Sequence, residues 1–268
     1  MKVRMYNVGF GDCFCLRDRK KSLLVDFGTN NSRIEGRPRR EIFDVIISDL
    51  STIKSKNLLL THFHMDHLSG ILYMMKKKDI SVDFGKIYLP DVFSKKEMSR
   101  TLVLLLLADL LKESGLPSRQ VSLFALVDAL LENKQNVELL SRGKLFENKY
   151  QALWPDTDVI RKETDEVYNR ICEDGKFKEV MDVLLEFAEK LRLIVWSMTA
   201  EGNKPAETVE KETDLTASEL TEQPEVRQKI IRAYVYEREF RRIKALPDFK
   251  KLLAWLNENQ INLRQFKH

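Results

Sequence analysis

The stretch from Leu58 to Gly70, LLLTHFHMDHLSG, places His62, His64, Asp66 and His67 within six residues. The chain holds four histidines in 268 residues, and three of them fall here, so a solvated turn accounts poorly for the crowding. The stretch lies between an apolar run, NLLL at 57–60, and a segment where Leu68, Ile71, Leu72 and Met75 recur at helical intervals. If the strand continues through the motif, His62 and His64 project to the same side, and Asp66 and His67 stand on the first turn of a helix. Layered α/β proteins place their sites at such strand ends. Imidazole nitrogen with carboxylate oxygen suits zinc, and also manganese or iron, better than calcium or magnesium.

Upstream, Val3 and Met5 alternate with Lys2 and Arg4, DCFCLRD at 12–18 has a short apolar run, and SLLVDFG at 22–28 reads as a strand ending at Asp26. TNNSRIEGRPRRE at 29–41 reads as a polar loop, 41–53 has helical spacing, and GKIYLP at 85–90 supplies a further strand stopped by proline. Strand and helix alternate through ninety residues, which predicts helices layered on a sheet.

Downstream, the spacing predicts a helical insertion over 92–135, with SKKE at 94–97 as a capping box and GLPS at 115–118 as a break. Short strands at 136–143 and 151–155 are expected to return to the sheet, closing an N-terminal portion at 1–158. A helical segment follows at 159–198, where Val180, Val183, Leu184, Phe187, Ala188, Leu191 and Ile194 share an apolar face. Residues 199–226 read as an acidic flexible linker: from Glu201 to Glu225 there are eight acids against two lysines. The last part, 227–268, reverses that balance with eleven Lys or Arg against four acids, on two helices separated by LPD at 246–248.

Lys and Arg total 45 against 41 Asp and Glu, and a net charge of +4 does not by itself point to nucleic acid. Cys13, Cys15 and Cys172 form no disulfide framework, and Cys13 and Cys15 read as buried small residues rather than a metal pair. The apolar run at 102–111 is half the length a membrane span needs, and no signal peptide is evident at the start, so a cytoplasmic protein without a membrane association is expected. Trp154, Trp196 and Trp255 are spaced as packing residues. The basic runs at 17–21, 37–40 and 76–78 would favour a phosphate-bearing substrate if they met at the mouth of the site, and Arg37, Arg39 and Arg40 are the best placed.

THFHMDHLSG resembles the His-x-His-x-Asp-His signature of the metallo-beta-lactamase fold. NVGFGDCFCL at 7–16, LLVDFG at 23–28 and ALWP at 152–155 are similar, more narrowly, to the hydrolase domain related to the ComEC/Rec2 competence proteins. The resemblance implies an αββα sandwich with large helical insertions. It implies that His62 and His64 bind one metal and Asp66 and His67 a second, with Asp66 orienting the bridging water whose pKa the metals lower. Asp12 and Asp26 would support these ligands from close beneath rather than bind metal.

The chain departs from that pattern after His67. The family takes a third histidine, a bridging aspartate and a final histidine from later strands, whereas the next histidine here is His268. The expectation is therefore a fold incomplete in this chain, with its missing half supplied by further sequence or a second polypeptide, since an uncovered apolar sheet invites association. The functional expectation is a zinc-dependent hydrolase acting through metal-activated water on a phosphodiester or other phosphate-bearing substrate, nucleic acid included. The opposing reading is a noncatalytic assembly or partner-binding module with a vestigial site.

Overall fold

The computed structural model describes residues 1–18, 21–77, 83–113, 122–133, 136–173, 175–200, 240–259, 261 and 263. Three strands open the chain: β1 (Lys2–Met5), β2 (Phe14–Asp18) and β3 (Lys21–Val25). A two-stranded hairpin follows, β4 (Arg33–Ile34) and β5 (Arg37–Pro38), leading directly into α1 (Arg39–Ser51). Next come β6 (Lys56–Leu59), α2 (Met65–Lys76), β7 (Ile87–Pro90), a short 3-10 turn, α3 (Ser99–Glu113), α4 (Ser122–Glu132) and β8 (Val137–Leu140). A second small hairpin, β9 (Leu145–Phe146) with β10 (Tyr150–Gln151), precedes α5 (Thr157–Cys172) and α6 (Lys178–Ser197), and α7 (Phe240–Ala245) and α8 (Pro247–Glu258) follow.

The main sheet has six strands in the order β1-β2-β3-β6-β7-β8. The first three pair antiparallel, as tight connections allow, and the last four run parallel with helices in their crossovers. One row of registered residues, Cys15, Leu24, Leu58, Ile87 and Val137, is buried under the helices. The alternate positions Leu16, Leu23, Leu59 and Tyr88 face the other side, where the β9–β10 hairpin lays Phe146 and Ala152 over them. That cover ends short of the edge: Val3 and Met5 on β1 are 60% and 72% exposed. The architecture is mixed α/β with a six-stranded sheet, in keeping with the metallo-beta-lactamase-like class expected from the motifs.

Residues Leu102 to Ala108 of α3 are all buried, so this helix lies inside the molecule with α5 and α6 around it. The apolar face expected on α6 is buried throughout, and Phe187 meets Phe124 of α4 edge to face at 4.9 Å. Phe249, Leu252 and Leu256 of α8 join the same core.

Several expectations are corrected. Residues 33–38 form a hairpin rather than a plain loop, with Gly36 at φ 78°, a left-handed turn that glycine adopts without penalty. Ser94 does not cap a helix; its backbone N–H and its hydroxyl both donate to the Asp91 carboxylate, and α3 begins five residues later. The 151–155 segment does not return to the main sheet, because its strand residues pair with β9 on the opposite face. The 159–198 segment is helical as expected, and its first helix, α5, is capped by the Asp156 side chain, which accepts from the backbone N–H groups of Asp158 and Val159. Trp154 is 47% exposed rather than packed, whereas Trp196 and Trp255 lie against the core. The break at 115–118 and almost all of the 199–226 linker lie outside the described residues.

Candidate metal centre

The motif sits where β6 ends and α2 begins. The strand stops at Leu59, so His62 and His64 lie on the connecting turn rather than on a strand, with their rings 5.0 Å apart edge to face. His62 also meets the His67 ring, centroid to centroid, at 3.7 Å. Asp66 and His67 occupy the first turn of α2, as the spacing indicates. The three histidines and Asp66 are thus brought together.

Asp26 organises them from below. It is 2% exposed and stands at φ 53°, a left-handed conformation that aspartate tolerates better than most residues and that turns the chain off the end of β3. Its Oδ1 accepts from the Thr61 backbone N–H at 2.8 Å, and its Oδ2 accepts from the Thr61 hydroxyl at 2.6 Å and from His67 Nδ1 at 2.9 Å. Thr61 Oγ1 lies 3.0 Å from His62 Nδ1. A hydroxyl carries one hydrogen, and here it goes to a carboxylate that only accepts, so the Thr61 oxygen accepts a hydrogen bond from the His62 Nδ1–H. Both His62 and His67 are thereby held with Nδ1 protonated and Nε2 turned to the site, the orientation that metal-ligating histidines receive from a second ring of partners. Thr61 escapes a reading of the sequence alone; its signal is its place between the strand and the first histidine.

Asp12 arrives by a different route. An added Cβ on Gly11 would lie 2.2 Å from the Gly28 carbonyl oxygen and 2.6 Å from that of Asp66, and on Gly28 it would lie 2.6 Å from the Asp66 carbonyl carbon. Two glycines therefore let the β1–β2 connection press against the start of α2, where the Asp12 N–H donates to the Asp66 carbonyl at 3.3 Å. Asp12 Oδ2 comes to 3.6 Å from His67 Nε2, and Asp66 Oδ2 to 3.9 Å from the same nitrogen. Asp12 and Asp26 thus flank opposite nitrogens of one ring. Burial disfavours the charged form of His67, but the hydrogen bond to Asp26 and the charges of Asp26, Asp66 and Asp12 outweigh it, so its pKa is raised.

The basic runs separate. Asp18 pairs with Lys21 across β2 and β3 at the end of the sheet opposite Asp26, which takes Arg17, Asp18 and Lys21 away from the site. Lys77 closes α2 and binds Asp44 at 2.5 Å, about 16 Å along the helix from the motif. The described residues of neither run line the mouth, contrary to the convergence considered for them; residues 19, 20 and 78 lie outside the described residues. Arg37 pairs with Glu41 at 3.3 Å, and Arg39 and Arg40 open α1, all exposed. Their hairpin touches the loop that leads to Asp12, through Asn7 Nδ2 donating to Glu35 at 2.6 Å and the Phe10 N–H donating to Asn31 at 2.9 Å. Cys13 and Cys15 are buried in the core, and burial pushes the Cys13 thiol up, in keeping with small packing residues.

Residues 6–91 match the family model of the metallo-beta-lactamase superfamily. The matched stretch contains the motif, both glycines, Asp12 and Asp26, and it supports the fold read from the strands and helices. At the level of reaction class it suggests metal-dependent hydrolysis. No curated protein and no solved structure gives a significant match.

The superfamily implies divalent metal, and the donor set fits in kind: imidazole Nε2 atoms beside carboxylates, with Nδ1 atoms already engaged behind them. As the side chains stand, no three His, Cys, Asp or Glu residues among those described enclose one ion. His62, His64, Asp66 and His67 would hold the metal, and when bound it would supply a water acidified toward hydroxide.

Proposed function

We propose that this chain is a metal-dependent hydrolase using metal-activated water on a phosphate-bearing substrate, most simply a phosphodiester, with zinc as the metal and manganese or iron as alternatives. The observation that carries the reading is the Asp26–Thr61 hub. Its carboxylate is buried, and through Thr61 it engages the Nδ1 side of two histidines, an arrangement for which a merely solvated turn would have no use. Asp66 is assigned to orient the attacking water. Arg37, Arg39 and Arg40 are assigned to the substrate phosphate, which makes nucleic acid a candidate partner. The ligands still lacking are assigned to further sequence or to a second polypeptide that also covers the exposed part of the sheet. One observation favours a noncatalytic assembly module instead: the described donors do not yet enclose an ion.

Metal analysis of the purified chain, with hydrolysis of bis(p-nitrophenyl) phosphate, tests the proposal. Bound divalent metal that falls at least about tenfold in His64→Ala, and hydrolysis abolished in Asp66→Ala at little cost in Tm, are expected. A chain that takes up no metal sinks the hydrolase reading for this polypeptide. Replacing Arg37, Arg39 and Arg40 with Ala should weaken oligonucleotide binding and flatten its salt dependence; an unchanged slope removes nucleic acid from the candidates.

A further inference from the structure

Phe10 is 80% exposed, a costly position for an aromatic ring in water, yet its backbone is firmly held. Its N–H donates to Asn31 Oδ1 at 2.9 Å, and its carbonyl accepts from the Asn30 N–H at 2.8 Å and from the Thr29 hydroxyl at 3.1 Å. Both neighbours in the chain are glycines, so no flanking side chain shields the ring. Gly9 stands at φ 71°, where an added Cβ would lie 3.3 Å from the Asn31 side chain, and Gly11 is pressed onto the Gly28 and Asp66 carbonyls. A ring carried on a backbone already fixed loses little further freedom when a ligand covers it.

The turn that presents Phe10 lies between two parts of the site. On one side Asp12 follows two residues later, so its Cα is within roughly 7 Å of that of Phe10. Asp12 Oδ2 in turn comes to 3.6 Å from His67 Nε2. On the other side Asn31, which holds the Phe10 N–H, precedes Ser32, whose carbonyl accepts from the Arg39 N–H at 3.0 Å. The aromatic residue therefore stands between the histidine cluster and the start of α1, where Arg39 and Arg40 are exposed. A flat apolar surface beside positive charge matches a ligand in which planar rings alternate with phosphates. An apolar protein segment would use the ring but not the arginines.

We infer that Phe10 is a stacking platform for a nucleobase adjoining the phosphate, and that the substrate strand is unpaired where it meets the site. The inference rests on the phosphate reading above and deepens it by naming the residue that distinguishes a base-bearing strand from other phosphodiesters.

The test compares two fluorescein-labelled strands of equal length by fluorescence anisotropy with the full chain in EDTA, which suppresses turnover. One is oligodeoxythymidylate and the other is built of abasic tetrahydrofuran units, so both carry the same phosphates and release the same counterions. The wild type is expected to bind the base-bearing strand at least about fivefold more tightly. Phe10→Ala and Phe10→Leu should abolish that preference while leaving affinity for the abasic strand and the Tm unchanged, and Phe10→Tyr should keep it. A wild type that binds both strands equally overturns the stacking role and leaves the phosphate reading standing. A preference that survives in Phe10→Ala or Phe10→Leu, or an equal loss of affinity for both strands in Phe10→Ala, also overturns it. A wild type that binds neither strand overturns the inference together with the nucleic-acid reading, and hydrolysis of bis(p-nitrophenyl) phosphate then judges the hydrolase reading separately.

Discussion

Asp26 and Asp12 show how a carboxylate's role is set by what its neighbours already hold. Asp26 spends both oxygens on N–H and O–H donors, so it orients, while Asp12 stands 3.6 Å from the opposite nitrogen of the same His67 ring. The glycines are the less obvious half of this arrangement. Gly28→Ala forces a methyl carbon to within 2.6 Å of Asp66 and Leu68 backbone atoms, which cannot yield as a flexible side chain would. The expected loss is about 3 kcal/mol in urea unfolding, together with weakened cobalt binding. Gly36→Ala is the control, since a Cβ there meets nothing within 4 Å and only its left-handed backbone resists. Equal, small losses in the two variants would show that the close approach at Gly28 is not what positions the site. The His-rich run and Gly-x-Gly-Asp were legible as residues, because chemistry at short spacing leaves a local signature. Thr61 and the opposed placement of Asp12 and Asp26 were not, since they depend on which nitrogen each oxygen meets across strands distant in sequence.

Elements with a strong period were readable, and those selected by long-range cover were not. β3, β6, β7 and α2 follow from apolar runs and helical spacing. The 151–155 segment carried an equally plausible strand pattern, yet its place is decided by the exposed backs of Leu23, Leu59 and Tyr88, which need Phe146 and Ala152 above them. β1 is similarly held by distant groups. Arg4 at 2.5 Å, Arg17 at 3.3 Å and the Tyr6 hydroxyl all converge on Asp49 of α1 and tie the sheet edge to the helix layer. Burial pushes the Asp49 carboxyl up, but the hydrogen bonds from Arg4 and Tyr6 and the neighbouring positive charge more than offset it, leaving the pKa below the ordinary value. A depressed carboxylate stabilises the fold above its unfolded pKa of about 3.8, and that contribution is lost as pH falls through the lower folded value. Asp49→Asn should therefore lower Tm by a few degrees at neutral pH and by progressively less in acid below that range. A Tm difference that stays constant into strong acid would show that Asp49 acts by shape rather than charge.

At the scale of the molecule, the charge reversal after residue 226 suggested a separate basic helical segment beyond a linker. What composition could not reveal is that α8 carries an apolar stripe matched to the same core as the sheet's helices. Leu252 and Leu256 are fully buried, Phe249 nearly so, and Trp255 meets Phe177 with ring centroids 5.7 Å apart. If that packing governs folding, α8 and the sheet unfold together. Leu252→Ala leaves a cavity in this shared core and should cost about 3 kcal/mol. The loss should register equally in tryptophan fluorescence, which samples Trp196 and Trp255 among the helices and Trp154 beyond the hairpin, and in far-ultraviolet circular dichroism. Coincident urea transitions, both displaced to lower midpoint in the variant, are the expected outcome. An early fluorescence transition that moves with the mutation while the main circular dichroism transition stays in place would instead make the C-terminal helices a separately folding unit, docked on the sheet and its helices without stabilising them.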